Sequence, residues 1–272
     1  SILSQSTHES VGGKGLNQAI ALARCGVDTE FISAIGNDHS SEVITRALKT
    51  ENLKTRLSKY PVASDQSVII LNDRGDNTIV TSADCIAKLD INWIKHGFEH
   101  STPNDHVLLQ GNLSYELTRE ILIESKAKEM TTIVNPSPIQ FAYDSLWEFI
   151  DIAVLNEYEC RELSNENDTF LGIQKLSELG MEHVIVTRSG ADVLLYLKNK
   201  FEKFEVPVTN VVDTSGAGDV FCGVLVGALL RESTINDAIA AAIRCASLST
   251  TAFGTVASYP SDTTIKSILN FT

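Results

Sequence analysis

Short apolar runs rich in β-branched residues alternate with helical patterns over most of this sequence. The runs lie at residues 31–35, 106–109, 132–135, 153–155 and 183–187. Helical spacing of apolar residues lies between them, at 41–49, 115–129 and 170–179. Such alternation is typical of βαβ units that share a mostly parallel sheet. The sequence therefore predicts an α/β fold.

Two segments depart from the alternation. Residues 67–80 contain two short strands around a polar turn, and we expect a hairpin that stands off the core. Residues 193–197 and 201–206 predict a late antiparallel hairpin. No repeat or low-complexity linker divides the 272 residues, and 43% of them are hydrophobic. A chain of this size can bury one large core, so we expect a single domain over residues 1–272.

The formal net charge of −13 argues against some classes of partner. A surface this acidic repels nucleic-acid backbones and anionic membranes at long range, so we expect no nucleic-acid or membrane partner. Backbone N–H groups and a bound cation can still hold a nucleotide in an acidic protein. The net charge therefore does not exclude a small anionic ligand.

Cysteine usage and apolar length predict the compartment. The five cysteines are scattered, odd in number and without a Cys-x-x-Cys pair, which is typical of reduced, mostly buried thiols and predicts no zinc site. No segment reaches the apolar length of a membrane span. Residues 1–6 lack the charged and apolar regions of a signal peptide. We expect a cytoplasmic protein.

A run of small residues at 212–219, Val-Asp-Thr-Ser-Gly-Ala-Gly-Asp, precedes the apolar stretch at 221–230. Small residues let backbone N–H groups turn toward an anion, and a helix that begins there favours phosphate. Asp219 falls in the first helical turn. It can cap the helix, or act as a general base for a hydroxyl that attacks a phosphoryl group. Taken alone, the motif favours the cap.

A second glycine-rich run, Gly-Gly-Lys-Gly-Leu-Asn-Gln at 12–18, precedes a predicted helix at 19–24. In this order, the two runs resemble the motifs of the PfkB (ribokinase-like) carbohydrate kinases, and the first motif is most similar to the ribokinase branch. Neither run is a Walker P-loop, because the Gly-Lys-Ser/Thr ending is absent. The resemblance extends from residue 1 to about residue 260.

The resemblance implies a three-layer α/β/α fold with a mostly parallel central sheet and a small β lid over the sugar. The lid would lie at about residues 1–10 and 64–82, with residues 3–9 as one of its strands. Members of the family open with a strand that carries a sugar-binding carboxylate. This sequence starts inside the lid strand, so we expect that first strand to be missing from it.

The resemblance also implies ATP-dependent phosphorylation of a sugar hydroxyl. Asp219 matches the catalytic base of the family, and its anion hole matches Gly216, Ala217 and Gly218. The alternative for the glycines is an ordinary turn between a strand and a helix. The second motif favours the functional interpretation.

The sugar-binding loop of the family matches Gly13, Lys14, Gly15 and Asn17, although Lys14 is equally a solvated charge. Asn112 follows a predicted core strand, where ligand contacts are usual in an open α/β sheet. Ribokinases tend to present a glutamate there. Ribose is the first expectation, and fructose, 2-keto-3-deoxygluconate or a nucleoside such as adenosine are alternatives.

Three further sets of residues match the nucleotide and cation sites of the family. Asn156 and Glu159 resemble an Asn-x-x-Glu motif for magnesium and phosphate, or else form a helix cap. The nucleotide site would comprise Gly218 and a loop with Thr187, Arg188, Ser189, Gly190 and Asp192, in which Ser189 and Asp192 stand in place of two glycines. A potassium site would involve Asp213, Ser215, Ser249, Ala252, Gly254 and Ser258, unless this segment only closes the last helix.

Three further expectations concern activity and assembly. The changed nucleotide loop, Asn112 and the missing strand leave open a non-catalytic homologue that binds a sugar or a nucleotide. In the resembled family the lids often pair, so a homodimer through the hairpin at 67–80 is a further expectation. A dinucleotide-binding dehydrogenase is not expected, because no Gly-x-Gly-x-x-Gly follows a strand.

Overall fold

A sheet of six strands forms the centre of the computed structural model, which describes residues 6–71, 77–181 and 183–270. The helices are α1 (Lys14–Arg24), α2 (His39–Leu48), α3 (Ile91–Gly97), α4 (Tyr115–Ala127), α5 (Glu157–Ser164), α6 (Thr169–Glu178), α7 (Ala217–Leu230), α8 (Ile235–Ser249) and α9 (Asp262–Leu269). The strands are β1 (Glu30–Ile35), β2 (Lys54–Lys59), β3 (Ser67–Leu71), β4 (Asn77–Thr81), β5 (His106–Gln110), β6 (Thr131–Asn135), β7 (Ile152–Asn156), β8 (His183–Thr187), β9 (Asp192–Leu197) and β10 (Lys200–Glu205).

The central sheet has the strand order β10-β9-β8-β7-β6-β5. Strands β5 to β8 run parallel to one another, whereas β9 is antiparallel to both of its neighbours, β8 and β10. The carboxyl ends of β5 to β8 therefore lie at one edge of the sheet. In the register, Gln110 lies beside Asn135, and Asn156 lies beside Thr187.

Helices cover both faces of this sheet. One apolar cluster joins α1, α7, α8 and α9 to residues such as Val154 of β7. A second cluster joins α3 to α6 to residues such as Leu155 of the same strand. Because neighbouring strand residues point to opposite faces, one buried strand serves both clusters. The result is the predicted three-layer α/β/α fold.

Helices α1 and α7 approach each other closely within the first cluster. A Cβ atom at Gly223 would lie 2.5 Å from the carbonyl oxygen of Gln18, and one at Gly227 would lie 2.4 Å from Sγ of Cys25. These distances are far below van der Waals contact. The two glycines therefore set the spacing of the helix pair, and they bring the side chains at the start of α1 to the start of α7.

Several predictions from the sequence are confirmed. The four predicted core strands between residues 106 and 187 are β5 to β8, and the late hairpin is β9 and β10. The three predicted helices are α2, α4 and α6. All five cysteines are free and buried, as expected for reduced thiols.

The first predicted core strand differs from expectation. Residues 31–35 lie in β1, but β1 pairs in parallel with β2 in a separate two-stranded sheet and is not hydrogen-bonded to the six-stranded one. The pattern at residues 54–59 did not predict β2, because Leu57 is the only apolar side chain in it. None of the six residues is fully buried, and such a strand needs little apolar sequence.

The hairpin predicted at residues 67–80 is present as β3 and β4, an antiparallel pair on either side of residues 72–76, which lie outside the described residues. Five of its apolar side chains are about half exposed: Val68, Ile69, Ile70, Ile79 and Val80. Of the lid strand predicted at residues 3–9, residues 3–5 also lie outside the described part, and residues 6–9 are not in a strand. Among the described helices, none is long and apolar enough to cross a membrane.

The close approach of α1 and α7 makes Gly223→Ala a sharp test. In a helix interior this change usually stabilises by about 1 kcal/mol. Here the added methyl group meets backbone of α1, so we expect a net loss of about 1–3 kcal/mol in the free energy of unfolding. Urea denaturation measures it. Stability equal to or above wild type would contradict the helix spacing.

Candidate active site

Asp219 lies in the first turn of α7 with its carboxylate buried and hydrogen-bonded on both oxygens. Its Oδ1 accepts from Nε2 of Gln18 at 3.0 Å, and its Oδ2 accepts from Nδ2 of Asn17 at 2.9 Å. Gly216 is the N-cap residue of α7, and no side chain caps the helix. The interpretation of Asp219 as a helix cap is therefore wrong. Its side chain is fixed by α1 instead.

Burial and nearby groups act in opposite directions on Asp219. Burial raises the pKa of its carboxyl group, whereas Lys14 and the two amide donors lower it, with a net rise. Lys14 is exposed at the start of α1. A carboxylate with a raised pKa is a better proton acceptor than an ordinary aspartate.

The turn before Asp219 presents backbone donors. Ala217 N–H donates to the carbonyl oxygen of Thr214 at 3.2 Å, and Val220 N–H donates to that of Gly216 at 2.9 Å. Among the described residues, the N–H groups of Gly218 and Asp219 have no hydrogen-bond partner. A Cβ atom on Gly218 would meet nothing within 4 Å, so the turn faces open space. Free N–H groups at the start of a long helix form an anion-binding site.

The first glycine-rich loop lies against the same place. Gly13 has φ of 107° and precedes α1, whose first residues face the ends of the strands. A Cβ atom on Gly15 would lie 2.9 Å from Oε1 of Gln110, so the glycine lets α1 pack on the end of β5. Oδ1 of Asn17 and Oδ1 of Asn112 are buried and accept no hydrogen bond. Buried polar atoms without partners are rare, and these two are suited to ligand hydroxyls.

Three side chains of the site, those of Gln18, Gln110 and Asn135, were given no role of their own from the sequence. Nε2 of Gln18 also donates to Oδ1 of Asn135 at 3.2 Å, and Nε2 of Gln110 donates to Oε1 of Gln18 at 2.8 Å. Gln110 ends β5 and Asn135 ends β6, and polar residues at the carboxyl ends of parallel strands are a signal for a site. Gln18 stands in the first motif, but its place in the helix pattern gave it no separate role.

Asn156 and Glu159 form a reciprocal capping box at the start of α5. Oδ1 of Asn156 accepts from the N–H of Glu159 at 2.8 Å, and Oε2 of Glu159 accepts from the N–H of Asn156 at 2.9 Å. The predicted alternative, a helix cap, is therefore present. One carboxylate oxygen of Glu159, Oε1, is not used by the box, so a role toward magnesium stays a prediction.

The loop between β8 and β9 is closed by an ion pair. Both ends of the Asp192 carboxylate accept from the guanidinium group of Arg188, and Lys203 lies 2.7 Å away. The hydrogen bond from Arg188 lowers the pKa of Asp192 to about 2. Ser189 and Gly190 have φ of 37° and 84° and form the turn. Asp192 is 1% exposed, and its carboxylate contacts the two basic side chains, so its predicted place in the nucleotide site stays a prediction.

Asp213 connects the turn before α7 to the segment after α8. Its Oδ1 accepts from the N–H of Ser215 and its Oδ2 from the N–H of Gly254, both at 2.9 Å. Burial raises the pKa of Asp213, but these donors outweigh burial and hold it below its usual value. The hydroxyl of Ser258 donates to the carbonyl of Gly254 at 2.8 Å.

The other two residues of the predicted potassium site are less closely linked. The hydroxyl of Ser249 donates back to Ala246 within α8, and Ala252 is exposed in the following turn. Within the described ranges, no group of three or more His, Cys, Asp or Glu side chains is placed to hold a metal ion. Carbonyl oxygens would have to provide most ligands of a cation at this place.

Comparisons with known proteins agree in sequence and in fold. A family model described as "pfkB family carbohydrate kinase" matches residues 1–262. The ribokinase of Staphylococcus aureus (strain COL) is 29% identical over 257 residues, which cover 92% of this chain and 84% of that protein. The crystal structure of ribokinase from Thermotoga maritima has a TM-score of 0.87 at 27% identity, covering 97% of this chain and 91% of the other.

A third comparison concerns fold alone. The structure of Arabidopsis thaliana ribokinase complexed with ribose and ATP has a TM-score of 0.83 at 21% identity, and it covers 100% of this chain and 91% of the other. The likeness therefore extends over the whole chain, including the elements that carry Asn17 and Asp219.

The contact between Gly216 and Tyr259 gives a prediction for the turn. A Cβ atom at Gly216 would lie 2.4 Å from the Tyr259 hydroxyl, and the φ of 77° strains any other residue. We expect Gly216→Ala to lower the free energy of unfolding by about 1–3 kcal/mol. Tyr259→Phe should partly restore it, as a double-mutant cycle in urea denaturation would measure.

Tyr259→Phe is also the control for this cycle. The Tyr259 hydroxyl is buried and has no hydrogen-bond partner, so removing it alone should cost little stability. Equal losses for Gly216→Ala with and without Tyr259→Phe would show that the hydroxyl contact does not constrain the turn.

Proposed function

The chain is a sugar kinase that belongs to the pfkB family of carbohydrate kinases, and we propose that it transfers the γ-phosphoryl group of ATP to a hydroxyl of ribose. One observation carries the proposal. The Asp219 carboxylate is fixed beside free N–H groups at the start of α7, so a base and an anion site lie within one helical turn. Phosphoryl transfer to an alcohol needs both in this arrangement.

Asp219 is the proposed general base. The acceptor hydroxyl gives its proton to the Asp219 carboxylate as its oxygen attacks the γ-phosphorus and the β-phosphate oxygen leaves. The N–H groups of the turn at Gly216, Ala217 and Gly218 stabilise charge on the transferring group. Because the Ala217 N–H already donates to Thr214, the N–H groups of Gly218 and Asp219 are the ready donors. Lys14 adds a positive charge near Asp219.

The proposed sugar site lies between the start of α1 and the end of β5. Gly13, Gly15 and Lys14 form its floor, and the unpartnered oxygens of Asn17 and Asn112 accept from sugar hydroxyls. The similarity to ribokinases supports ribose as the acceptor. Asn112 keeps fructose, 2-keto-3-deoxygluconate and nucleosides as alternatives, because ribokinases tend to present a glutamate there.

ATP is the proposed donor, placed along Thr187, Arg188, Ser189 and Gly190 toward Gly218. The Arg188 pair with Asp192 fixes this loop without the two glycines usual in the family. Magnesium would be held mainly by the phosphates, as is usual in kinases, with Glu159 nearby. It would neutralise charge on the phosphates.

Potassium is the proposed monovalent cation. The residues present fit such an ion, because Asp213 is ionised and each of its oxygens accepts only one N–H. Carbonyl oxygens of Ser249, Ala252 and Gly254, with Ser215 and Ser258 nearby, would complete the ligand set.

We also propose a homodimer through the lid. The β3 and β4 hairpin exposes Val68, Ile69, Ile70, Ile79 and Val80, an apolar set that a second hairpin would cover. The predicted cytoplasmic location stays a prediction.

The deciding experiment measures ADP release with ribose, fructose, 2-keto-3-deoxygluconate and adenosine, in potassium and in sodium. We expect the highest kcat/KM with ribose and a faster rate in potassium. A rate with another acceptor would keep the mechanism and replace the substrate. Ligand-induced thermal stabilisation without ADP formation from any acceptor would favour the non-catalytic homologue.

Asp219→Asn tests the base directly. We expect the variant to fold and to lose nearly all turnover, because the amide cannot accept the proton. Asp144→Asn, the same change at an exposed position, is the control. In the wild type, the rate should fall on acidification through a pKa above the usual aspartate range, since only ionised Asp219 is active. A near-normal rate for Asp219→Asn would defeat the assignment.

A further inference from the structure

Gln18 is one of the two side chains of α1 that donate a hydrogen bond to the Asp219 carboxylate. We propose that Gln18 is a positioning residue whose carboxamide, held in one orientation by Gln110 and Asn135, keeps a donor on Asp219 and fixes the direction of that carboxylate. The inference rests on the proposed role of Asp219 as the base. It assigns a function to three amides that neither the family motif nor the sequence patterns give them.

Gln18 is fully buried, and both the nitrogen and the oxygen of its amide form hydrogen bonds. Its exposure is 0%, so water does not compete for its amide. A carboxamide nitrogen has two hydrogens, and here one goes to Oδ1 of Asp219 at 3.0 Å and one to Oδ1 of Asn135 at 3.2 Å. The amide oxygen accepts from Gln110 at 2.8 Å.

The orientation of the Gln18 amide is determined by a backbone carbonyl oxygen, which can only accept a hydrogen bond. Nδ2 of Asn135 donates to the carbonyl oxygen of Val154 at 2.9 Å, and a backbone carbonyl only accepts. Asn135 therefore directs its side-chain oxygen toward Gln18, and Gln18 donates a hydrogen bond to it from its amide nitrogen. Gln110 reinforces this choice, because its Nε2 donates to the oxygen of Gln18 and also lies 3.4 Å from the carbonyl of Leu108.

A reversed amide would put an oxygen against the buried carboxylate. Such a contact repels the ionised form and removes one of the two donors that oppose burial. The chain of amides from Val154 to Gln18 excludes this state, since reversal would break three hydrogen bonds together. The network therefore keeps both donors on Asp219 and holds its carboxylate toward the start of α1.

Among the charged and titratable groups around Asp219, Lys14 alone opposes the effect of burial on its pKa. Lys14 faces it from α1, Cys222 lies one turn further along α7, and Tyr259 faces it after α8. Burial raises the pKa of both Cys222 and Tyr259, so both are neutral near pH 7. Strands β5 and β6 present uncharged amides. Apart from Lys14, therefore, the groups that oppose burial are the donors from Asn17 and Gln18.

Gln18→Glu is the first test. The change keeps the shape of the side chain and places a second carboxyl group against Asp219, so the two share a proton. We expect the acid limb of the kcat profile to move up by about one pH unit or more. At the optimum, kcat should fall by about tenfold or more with both KM values within about twofold, because a misplaced base slows the chemical step.

The matched control is Gln174→Glu, the same substitution on the exposed face of α6. Its pH profile should coincide with the wild type. Gln110→Leu tests the relay, because it removes the donor to the amide oxygen of Gln18 without touching Asp219. It should lower kcat less than Gln18→Met does, and the double variant should be no slower than Gln18→Met alone.

Coincident acid limbs for folded Gln18→Glu and the wild type would overturn the inference. If Gln18→Glu fails to fold, Gln18→Met decides, since loss of the donor alone should also raise the acid limb. An unchanged limb in that variant would overturn the inference as well.

A direct titration separates this inference from the proposed function. Carbon-13 NMR of labelled aspartate carboxyls, with the Asp219 signal assigned by its loss in Asp219→Asn, needs no turnover. A higher Asp219 pKa in Gln18→Glu supports the positioning role even if every acceptor fails, and an equal pKa overturns it. A retained rate in Asp219→Asn removes the base assignment alone.

Discussion

The active-site geometry depends on how closely α1 lies against α7. Gly223 and Gly227 allow the two backbones to approach, and from Asp219 to Ala228 every residue of α7 is buried. Both helices start at a glycine with positive φ, Gly13 and Gly216, and neither has a side-chain cap. Two uncapped helix starts therefore meet at one place. This arrangement gives an acidic protein a local preference for anions.

The sheet completes what the helices begin. Parallel strands bring their carboxyl ends to one edge, so Gln110 and Asn135 lie side by side under the start of α1. A buried carboxylate is costly unless its hydrogen bonds are satisfied. Here the acceptors of Asp219 are satisfied by side chains of α1, and those side chains are held in turn by the strands. Packing and polar satisfaction thus point to the same arrangement.

The sequence predicted the parts of this arrangement that depend on local pattern. Strands β5 to β8 are apolar enough to be recognised, and the motifs located Asp219 and Asn17. The sequence did not predict the partner of Asp219, since Gln18 is 201 residues away and only the tertiary fold brings them together. The Asn156 and Glu159 letters fitted both a cap and a metal site, because one carboxylate can serve either. Strand β2 was not predicted, because none of its residues is fully buried and Leu57 is its only apolar side chain.

The Arg188 and Asp192 pair has a consequence for ligand recognition. A glycine-rich loop samples many conformations before a ligand binds. Ordering the loop on binding then costs conformational entropy. Here a buried carboxylate and a guanidinium group order the turn at Ser189 and Gly190 during folding. A nucleotide bound along this loop, as proposed above, would meet a turn that is already ordered. The entropy cost of ordering the turn is then met when the chain folds and does not reduce the affinity for the nucleotide.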